Sequence, residues 1–314
     1  YSPGMQISMF GQLSGLGDGS PIDATVEFLT LLRDEGFGRV WMSQLPYEPD
    51  LLTVLAVALH EVDRIEVASG VVPIQNVHPM LMAQRALTLN LACGGRFLLG
   101  LGMTHAAVTE GMWGIPWDRP VRRLGEYLDG LLPLLAGEAA DAPGQTVTTR
   151  GALMIPGAPR PDVYIAALGP QLLRLAGRRT SGTCTWMTGP QTLRGHVSPT
   201  LRQAAADAGR PEDAVRVVAA LPVAVTDDVD GARAQAAEQF AVYGTLPSYR
   251  AMLEREGYDG PADAAIIGDE ATVRDRLDDV RAAGVDEFVA APFDSSPEGR
   301  ARTRALLRDY APDN

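Results

Sequence analysis

Strand-like apolar runs alternate with helix-like segments along nearly the whole chain, and this alternation restricts the fold more than any other feature. Met5–Phe10 reads as a short strand. Ile22–Glu35, behind Pro21, reads as an amphipathic helix that Gly36-Phe37-Gly38 stops before a second strand, Arg39–Ser43. Leu51–Glu61 is helical with Asp50 placed to cap it. Strand Arg64–Gly70, helix Pro79–Ala92, strand Arg96–Gly102 and helix Arg119–Leu135 follow. Ala136–Pro161, rich in Gly, Pro, Ala and Thr, reads as an excursion with a hairpin around Thr146–Ile155. Beyond it come strand Val163–Ala166, a helix from Pro170, strand Gly182–Trp186, helix Pro190–Ala208, strand Val215–Val225 and helix Val229–Tyr243. A variable-looking segment, Leu246–Pro261, precedes helix Glu270–Ala283, strand Glu287–Ala291 and a terminal helix Pro297–Arg308.

About eight strands, each followed by a helix, predict an α/β fold built as a closed (β/α)8 TIM barrel. A chain of 314 residues with 46% hydrophobic content suffices for one large core, so residues 1–314 read as a single domain with excursions near 136–161 and 246–261. A doubly wound sheet is the runner-up, and it needs a Gly-rich first turn. Phe10-Gly11-Gln12-Leu13-Ser14-Gly15 lacks the G-x-G-x-x-G spacing, and so does "GRFLLGLGMTH" at Gly95–His105. The latter reads as a barrel strand whose glycines let a planar ligand approach the backbone.

Composition removes several function classes. A net charge of −12 argues against a nucleic-acid partner. No apolar run reaches the ~18 residues of a membrane span, and no signal peptide is evident, so the expected location is the cytoplasm. Tyr1-Ser2-Pro3-Gly4 ahead of Met5 reads as an expression leader. Cys93 and Cys184 read as two buried free thiols. All 27 basic residues are Arg, which excludes Schiff-base aldolases, pyridoxal-phosphate enzymes and P-loop NTPases, since each needs a placed amine. His60-Glu61-Val62-Asp63-Arg64 lacks the second His of a zinc helix, so no metal site is expected.

Three motifs in order carry a resemblance: "GRFLLGLGMTH", "WDRPVRRLGEYLDGLLPLLAG" (Trp117–Gly137) and "VYIAALGPQLLRLAGRRTSGTCTWMTGP" (Val163–Pro190). "FAVYGTLPSYRAMLEREGYDGPAD" (Phe240–Asp263) and "AGVDEFVAAPF" (Ala283–Phe293) extend it, so it runs from about Met5 to Phe293. The chain resembles the bacterial luciferase-like superfamily, and within it the actinobacterial branch of coenzyme F420-dependent oxidoreductases. The resemblance implies a luciferase-like barrel with an insertion, binding a deazaflavin (F420) or a flavin (FMN) at the C-terminal strand ends. It implies that the cofactor phosphate lies at Ala166-Ala167-Leu168-Gly169-Pro170, where small residues lead into a helix whose free N–H groups attract an anion. Met187-Thr188-Gly189-Pro190 reads as a second turn of the same design. Family members often carry a non-prolyl cis peptide after the third strand, and the matching residues are Ser69, Gly70 and Val71. Met103 and Thr104 are expected near the pyrimidine edge or the ribityl chain, with Ser43 also at the ring. His105 is expected to donate to the ring carbonyls or protonate a substrate. His78 reads as a structural cap, and His60 and His196 receive no chemistry.

One departure bears on the reaction. Some deazaflavin enzymes of the superfamily carry Ser-Asp-His at the second strand end, whereas this chain has Ser43-Gln44-Leu45. Gln44 hydrogen-bonds a substrate or the ring but is no general acid near neutral pH. Oxidation of sugar phosphates or alcohols is therefore disfavoured. Hydride delivery to an activated C=C or C=N bond of a small apolar substrate fits better, with His105, Tyr47, Glu110 or water as proton source. Phe10, Trp41, Leu45, Met103, Met112, Trp113, Trp186 and Met187, grouped near strand ends, point to an apolar site. The alternatives are an FMN-dependent luciferase-like monooxygenase and, in another class, a non-catalytic ligand-binding barrel or structural subunit. A homodimer is the expected assembly.

Overall fold

The structure is a computed structural model that describes residues 4–17 and 19–310. Of the expected leader, Tyr1–Pro3 lie outside the described residues. Strand β1 spans Gln6–Gln12, helix α1 Pro21–Asp34, β2 Arg39–Ser43 and α2 Leu51–Glu61. Asp50 caps α2 as expected, its carboxylate accepting the Thr53 N–H at 2.9 Å. Then come β3 (Glu66–Ser69), the two-residue β4 (Val72–Pro73), α3 (Pro79–Cys93) and β5 (Phe97–Gly102). His78 is the cap of α3, accepting the Met80 N–H on Nδ1, and Gly94 ends the helix in the left-handed conformation at φ 66°. A short α4 (Ala106–Thr109) and α5 (Pro120–Leu135) complete this stretch.

The excursion contains an antiparallel pair, β6 (Ala140–Ala142) with β7 (Thr149–Gly151), in the register Ala140 to Gly151. The expected hairpin at Thr146–Ile155 is thus shifted, and Thr146 sits in the connecting turn. Burial raises the Glu126 carboxyl, but hydrogen bonds from the Thr146 hydroxyl and the N–H groups of Gln145, Thr146 and Val147 outweigh it and hold the pKa down to about 2. A depressed carboxylate stabilises the turn above its ordinary pKa and loses that contribution as pH falls through the folded value. Amide exchange at Thr146 and Val147, corrected for intrinsic rates, is therefore expected to stay slow down to about pH 4.5 and to accelerate towards pH 2. Glu126→Gln is expected to open the turn at every pH, and protection indifferent to both changes refutes the brace.

The chain continues with β8 (Val163–Ala166), α6 (Pro170–Arg179), β9 (Gly182–Trp186) and α7 (Pro190–Thr192). The helix expected over Pro190–Ala208 is interrupted by a π-turn at Leu193–Val197 before α8 (Ser198–Asp207). Pro199 has no N–H to offer residue 195, and the Ser198 N–H reaches back five residues to Leu193 O instead. Next are β10 (Arg216–Val225), α9 (Val229–Gln239), α10 (Pro247–Glu256) and α11 (Pro261–Ala264). The variable-looking segment is therefore largely helical: Pro247 opens α10, Gly257 at φ 77° closes it, and Met252, Leu253 and Glu256 are buried. The chain ends with β11 (Ile266–Gly268), which sequence patterning missed, α12 (Glu270–Ala282), β12 (Glu287–Pro292) and α13 (Pro297–Tyr310).

In the main sheet the strand order is β11-β10-β12-β1-β2-β3-β5-β8-β9, with β9 also paired to β10 and β4 to β5. Eight strands thus form a hydrogen-bonded ring, a (β/α)8 barrel.

Contacts divide the chain into two compact units, one holding the segments up to Phe10, Asp34–Val40 and from Ala167 on, the other Gly11–Arg33 and Trp41–Ala166. In the first, β12 lies parallel to both β1 and β10, and β10 to β9. Glu287 is fully buried there, receiving the Ser8 hydroxyl at 2.7 Å and the Arg39 guanidinium at 2.6 Å. In the second unit β5 lies parallel to β3, β4 and β8. Trp41 packs edge-on against Tyr164 with ring centroids 5.4 Å apart. The Arg96 guanidinium binds the carbonyls of Leu59, Val62 and Ile65 where α2 ends.

Candidate functional site

In the second unit the sequence-predicted residues Ser43, Gly70, Val71 and Met103–His105 lie at or just past the C-terminal ends of β2, β3 and β5, all partly exposed. The Gly70–Val71 peptide is cis, at the place expected from the sequence. The Gln44 N–H donates to Val71 O at 3.4 Å, joining the ends of two strands. Gln44 itself braces its own loop. Its Nε2 donates to Leu45 O and Pro49 O, while its Oε1 accepts the Leu51 N–H at 2.6 Å. Both amide hydrogens are thereby engaged, which leaves Oε1 as the atom with a further lone pair.

The glycines of the fourth long strand have a different use from the one expected. A Cβ on Gly100 would stand 1.9 Å from Ser69 O, and one on Gly102 would stand 2.3 Å from Val71 Cγ2. The chain's own backbone and side chains fill the space read from the sequence as room for a planar ligand. Ser43 Oγ and Gln75 Oε1 are buried with no hydrogen-bond partner among the described residues. Such orphaned polar atoms at strand ends suit a polar ligand ring. His105 is half-buried, and desolvation pushes its pKa below the ordinary histidine value, so the imidazole is neutral at pH 7. Of the other proton sources considered, Tyr47 is 73% exposed, and the Glu110 carboxylate accepts the Trp117 N–H at 3.0 Å.

In the first unit the two Gly-Pro turns differ. Gly169 and Pro170 are exposed, no side chain caps α6, and helix geometry leaves the N–H groups of Gln171 and Leu172 without intrahelical partners. From below, His196 Nε2 donates to Leu168 O at 2.8 Å. This histidine, given no chemistry from the sequence, holds the turn through the π-turn on which it sits. Met187, Thr188 and Gly189 are instead buried, and Met187 has φ 53°. The N–H groups of Gln191 and Thr192 donate to the Glu256 carboxylate at 2.8 and 2.7 Å. A Cβ on Gly189 would lie 2.5 Å from that carboxylate carbon. The second turn is therefore not a second open anion seat: an internal anion, Glu256 from α10, already takes its helix donors.

The expected apolar grouping separates into core and strand-end parts. Trp41 and Met187 are core residues, and Met112 is exposed. Phe10 stacks on Trp186 with centroids 5.7 Å apart, and Phe240 and Tyr243 meet the Trp186 ring edge-on. Trp186 Nε1 is buried without a partner among the described residues. Of the two free cysteines, Cys93 is buried and Cys184 partly so, with burial pushing the Cys184 thiol up to about 12. Among the described residues no group of His, Cys, Asp or Glu could hold a metal ion, and no helix is long and apolar enough to cross a membrane.

The family model of the luciferase-like monooxygenases matches residues 5–287. The chain belongs to this family. A 5,10-methylenetetrahydromethanopterin reductase of Methanolobus tindarius is 29% identical over 249 residues, covering 79% of this chain and 75% of that protein. Among solved structures, the coenzyme F420-dependent tetrahydromethanopterin reductase of Methanopyrus kandleri superposes with a TM-score of 0.77 at 22% identity, covering 98% of this chain and 97% of that one. The oxygenating constituent of 3,6-diketocamphane monooxygenase of Pseudomonas putida, solved with FMN, superposes with a TM-score of 0.78 at 17% identity and covers 99% of each chain. The luciferase-like monooxygenase family and its reductase relative place the chain among oxidoreductases, and the solved structures support its barrel fold.

Proposed function

We propose that this luciferase-like protein is a deazaflavin (F420)-dependent reductase that transfers a hydride to an activated C=C or C=N bond of a small apolar substrate. The observation that carries the reading is the exposed, uncapped start of α6, where Gly169 and Pro170 present the free N–H groups of Gln171 and Leu172 to an anion. A reductase at 29% identity over four fifths of the chain supports it.

When bound, the reduced deazaflavin supplies the hydride. Ala166, Ala167, Leu168, Gly169 and Pro170 hold the phosphate, with His196 fixing the Leu168 carbonyl. Ser43, Gly70, Val71, Met103 and Thr104 receive the ring and its ribityl chain, and the unpartnered Ser43 hydroxyl offers it a hydrogen bond. In the second turn Met187, Thr188 and Gly189 act as a buried support. His105, neutral at pH 7, donates a hydrogen bond from its ring N–H to the bound ring or substrate, and water supplies the proton that accompanies the hydride. Gln44, fixed in its loop, orients the β2 end. Phe10 and Trp186 exclude water from the apolar substrate.

A fluorescence titration with coenzyme F420 and, in parallel, FMN tests the reading. Binding of F420 with a Kd of about 1–10 μM and weaker FMN binding are expected, followed by loss of reduced-deazaflavin signal on adding an enone or imine. Tighter FMN binding with oxygen uptake puts a monooxygenase in its place. Binding of neither leaves a non-catalytic barrel.

A further inference from the structure

Gln75 was not singled out in the sequence, yet the fold builds a fixed place for it. Val72–Pro73 pairs in parallel with Leu101–Gly102, and the Ile74 N–H extends that ladder to Gly102 O at 3.2 Å. Gln75 is the next residue, anchored beside the end of β5 and four residues past the cis Gly70–Val71 bond. Its side chain is buried, at 7% exposure. One amide hydrogen points to the Met103 thioether at 3.8 Å, a weak acceptor, and Oε1 has no partner among the described residues.

A buried carboxamide held this way is poorly explained by packing alone, since leucine would fill similar volume without an unmet carbonyl. In a carboxamide the carbonyl oxygen and one hydrogen of the NH2 lie side by side in one plane. That pair complements a cyclic imide, whose N–H and adjacent C=O are likewise side by side, in the way a carboxamide reads a base edge. The ring of a deazaflavin or flavin ends in such an imide.

We infer that Gln75 binds the imide edge of the cofactor ring, Oε1 accepting its N–H and Nε2 donating to its C=O; this rests on the function proposed above. The assignment separates two tasks among neighbours. Gln75 touches the Met103 thioether through one amide hydrogen and gives the ring a fixed rotation at the β5 end.

The test uses the intact protein, coenzyme F420 and F420 methylated on the imide nitrogen. For the wild-type protein the methylated form is expected to bind about 10- to 100-fold more weakly than F420. Gln75→Leu is expected to bind F420 about as weakly as the wild type binds the methylated form, and to discriminate little between the two. Gln75→Glu, which keeps an acceptor and loses the donor, is expected to recover part of the discrimination. Equal affinity of wild type for both forms overturns the inference without needing any variant to fold. So does a Gln75→Leu variant that keeps the wild-type discrimination. Failure of unmodified F420 to bind the wild-type protein removes the functional reading itself, and is thereby distinct from either result.

Discussion

Gly100→Ala is expected to leave little or no folded protein, a loss of more than about 3 kcal/mol from a single methyl group. The Cβ would stand 1.9 Å from Ser69 O and 3.3 Å from the Trp41 ring. Neither neighbour can yield. Ser69 is fully buried, and its hydroxyl both donates to Gly100 O at 2.8 Å and accepts the Gly100 N–H at 2.9 Å. The next residue's N–H, on Gly70, donates to Met42 O at 2.7 Å, so moving β3 away from β5 also strains its bond to β2. Gly102→Ala meets only the Val71 side chain at its closest point, and rotation about one bond relieves part of that. It is expected to cost about 1–2 kcal/mol. The yield of folded protein and, where folded protein is recovered, the denaturant midpoint give the comparison; equal yields and midpoints for the two variants refute the difference between a backbone and a side-chain obstacle.

That pair of glycines also shows where sequence reading reaches its limit. The strand and its C-terminal position in the barrel were legible from an apolar run ending in Gly-x-Gly, because period and punctuation are local properties. What the glycines accommodate is a tertiary fact. Ser69 at the end of β3 and Val71 just past it approach them, and nothing in "GRFLLGLGMTH" names the neighbour. Asp50 and His78 were legible as caps for the opposite reason: a cap and the N–H groups it accepts lie within a few residues of each other.

The candidate site divides along the same line. Ala166–Pro170 was readable as a turn into a helix, and the structure leaves its donors open. Met187–Pro190 carries nearly the same local signal, yet a residue from the variable-looking segment fills it. The helical marks of that segment, Pro247 at its start and Gly257 at its end, were present in the sequence. The buried face that turns Glu256 inward was not, since it depends on α7 lying against α10. Gln75 was equally silent, being one polar residue in a Pro-containing loop whose burial only the β4–β5 pairing produces.

Glu256→Ala is expected to cost about 3 kcal/mol, and about 6 °C in Tm, from a residue far from any strand end in sequence. Glu256 is 5% exposed, and its carboxylate accepts two N–H groups at the start of α7, where the positive helix end attracts negative charge. Removal leaves the buried Thr192 N–H unpaired and hands the more exposed Gln191 N–H to water. Glu256→Gln keeps one acceptor but turns an NH2 towards the second donor, so it is expected to recover less than half of the loss. Formate is expected to raise the Tm of Glu256→Ala and not that of the wild-type protein, because a small carboxylate can enter the vacated place. Cofactor affinity decides what the second turn is for. Measured well below Tm, F420 binding to Glu256→Ala is expected to remain within about 3-fold of wild type if the turn is a support and the phosphate lies at α6. Binding that tightens 10-fold or more on removing this negative charge contradicts that division and returns the phosphate to the Met187 turn.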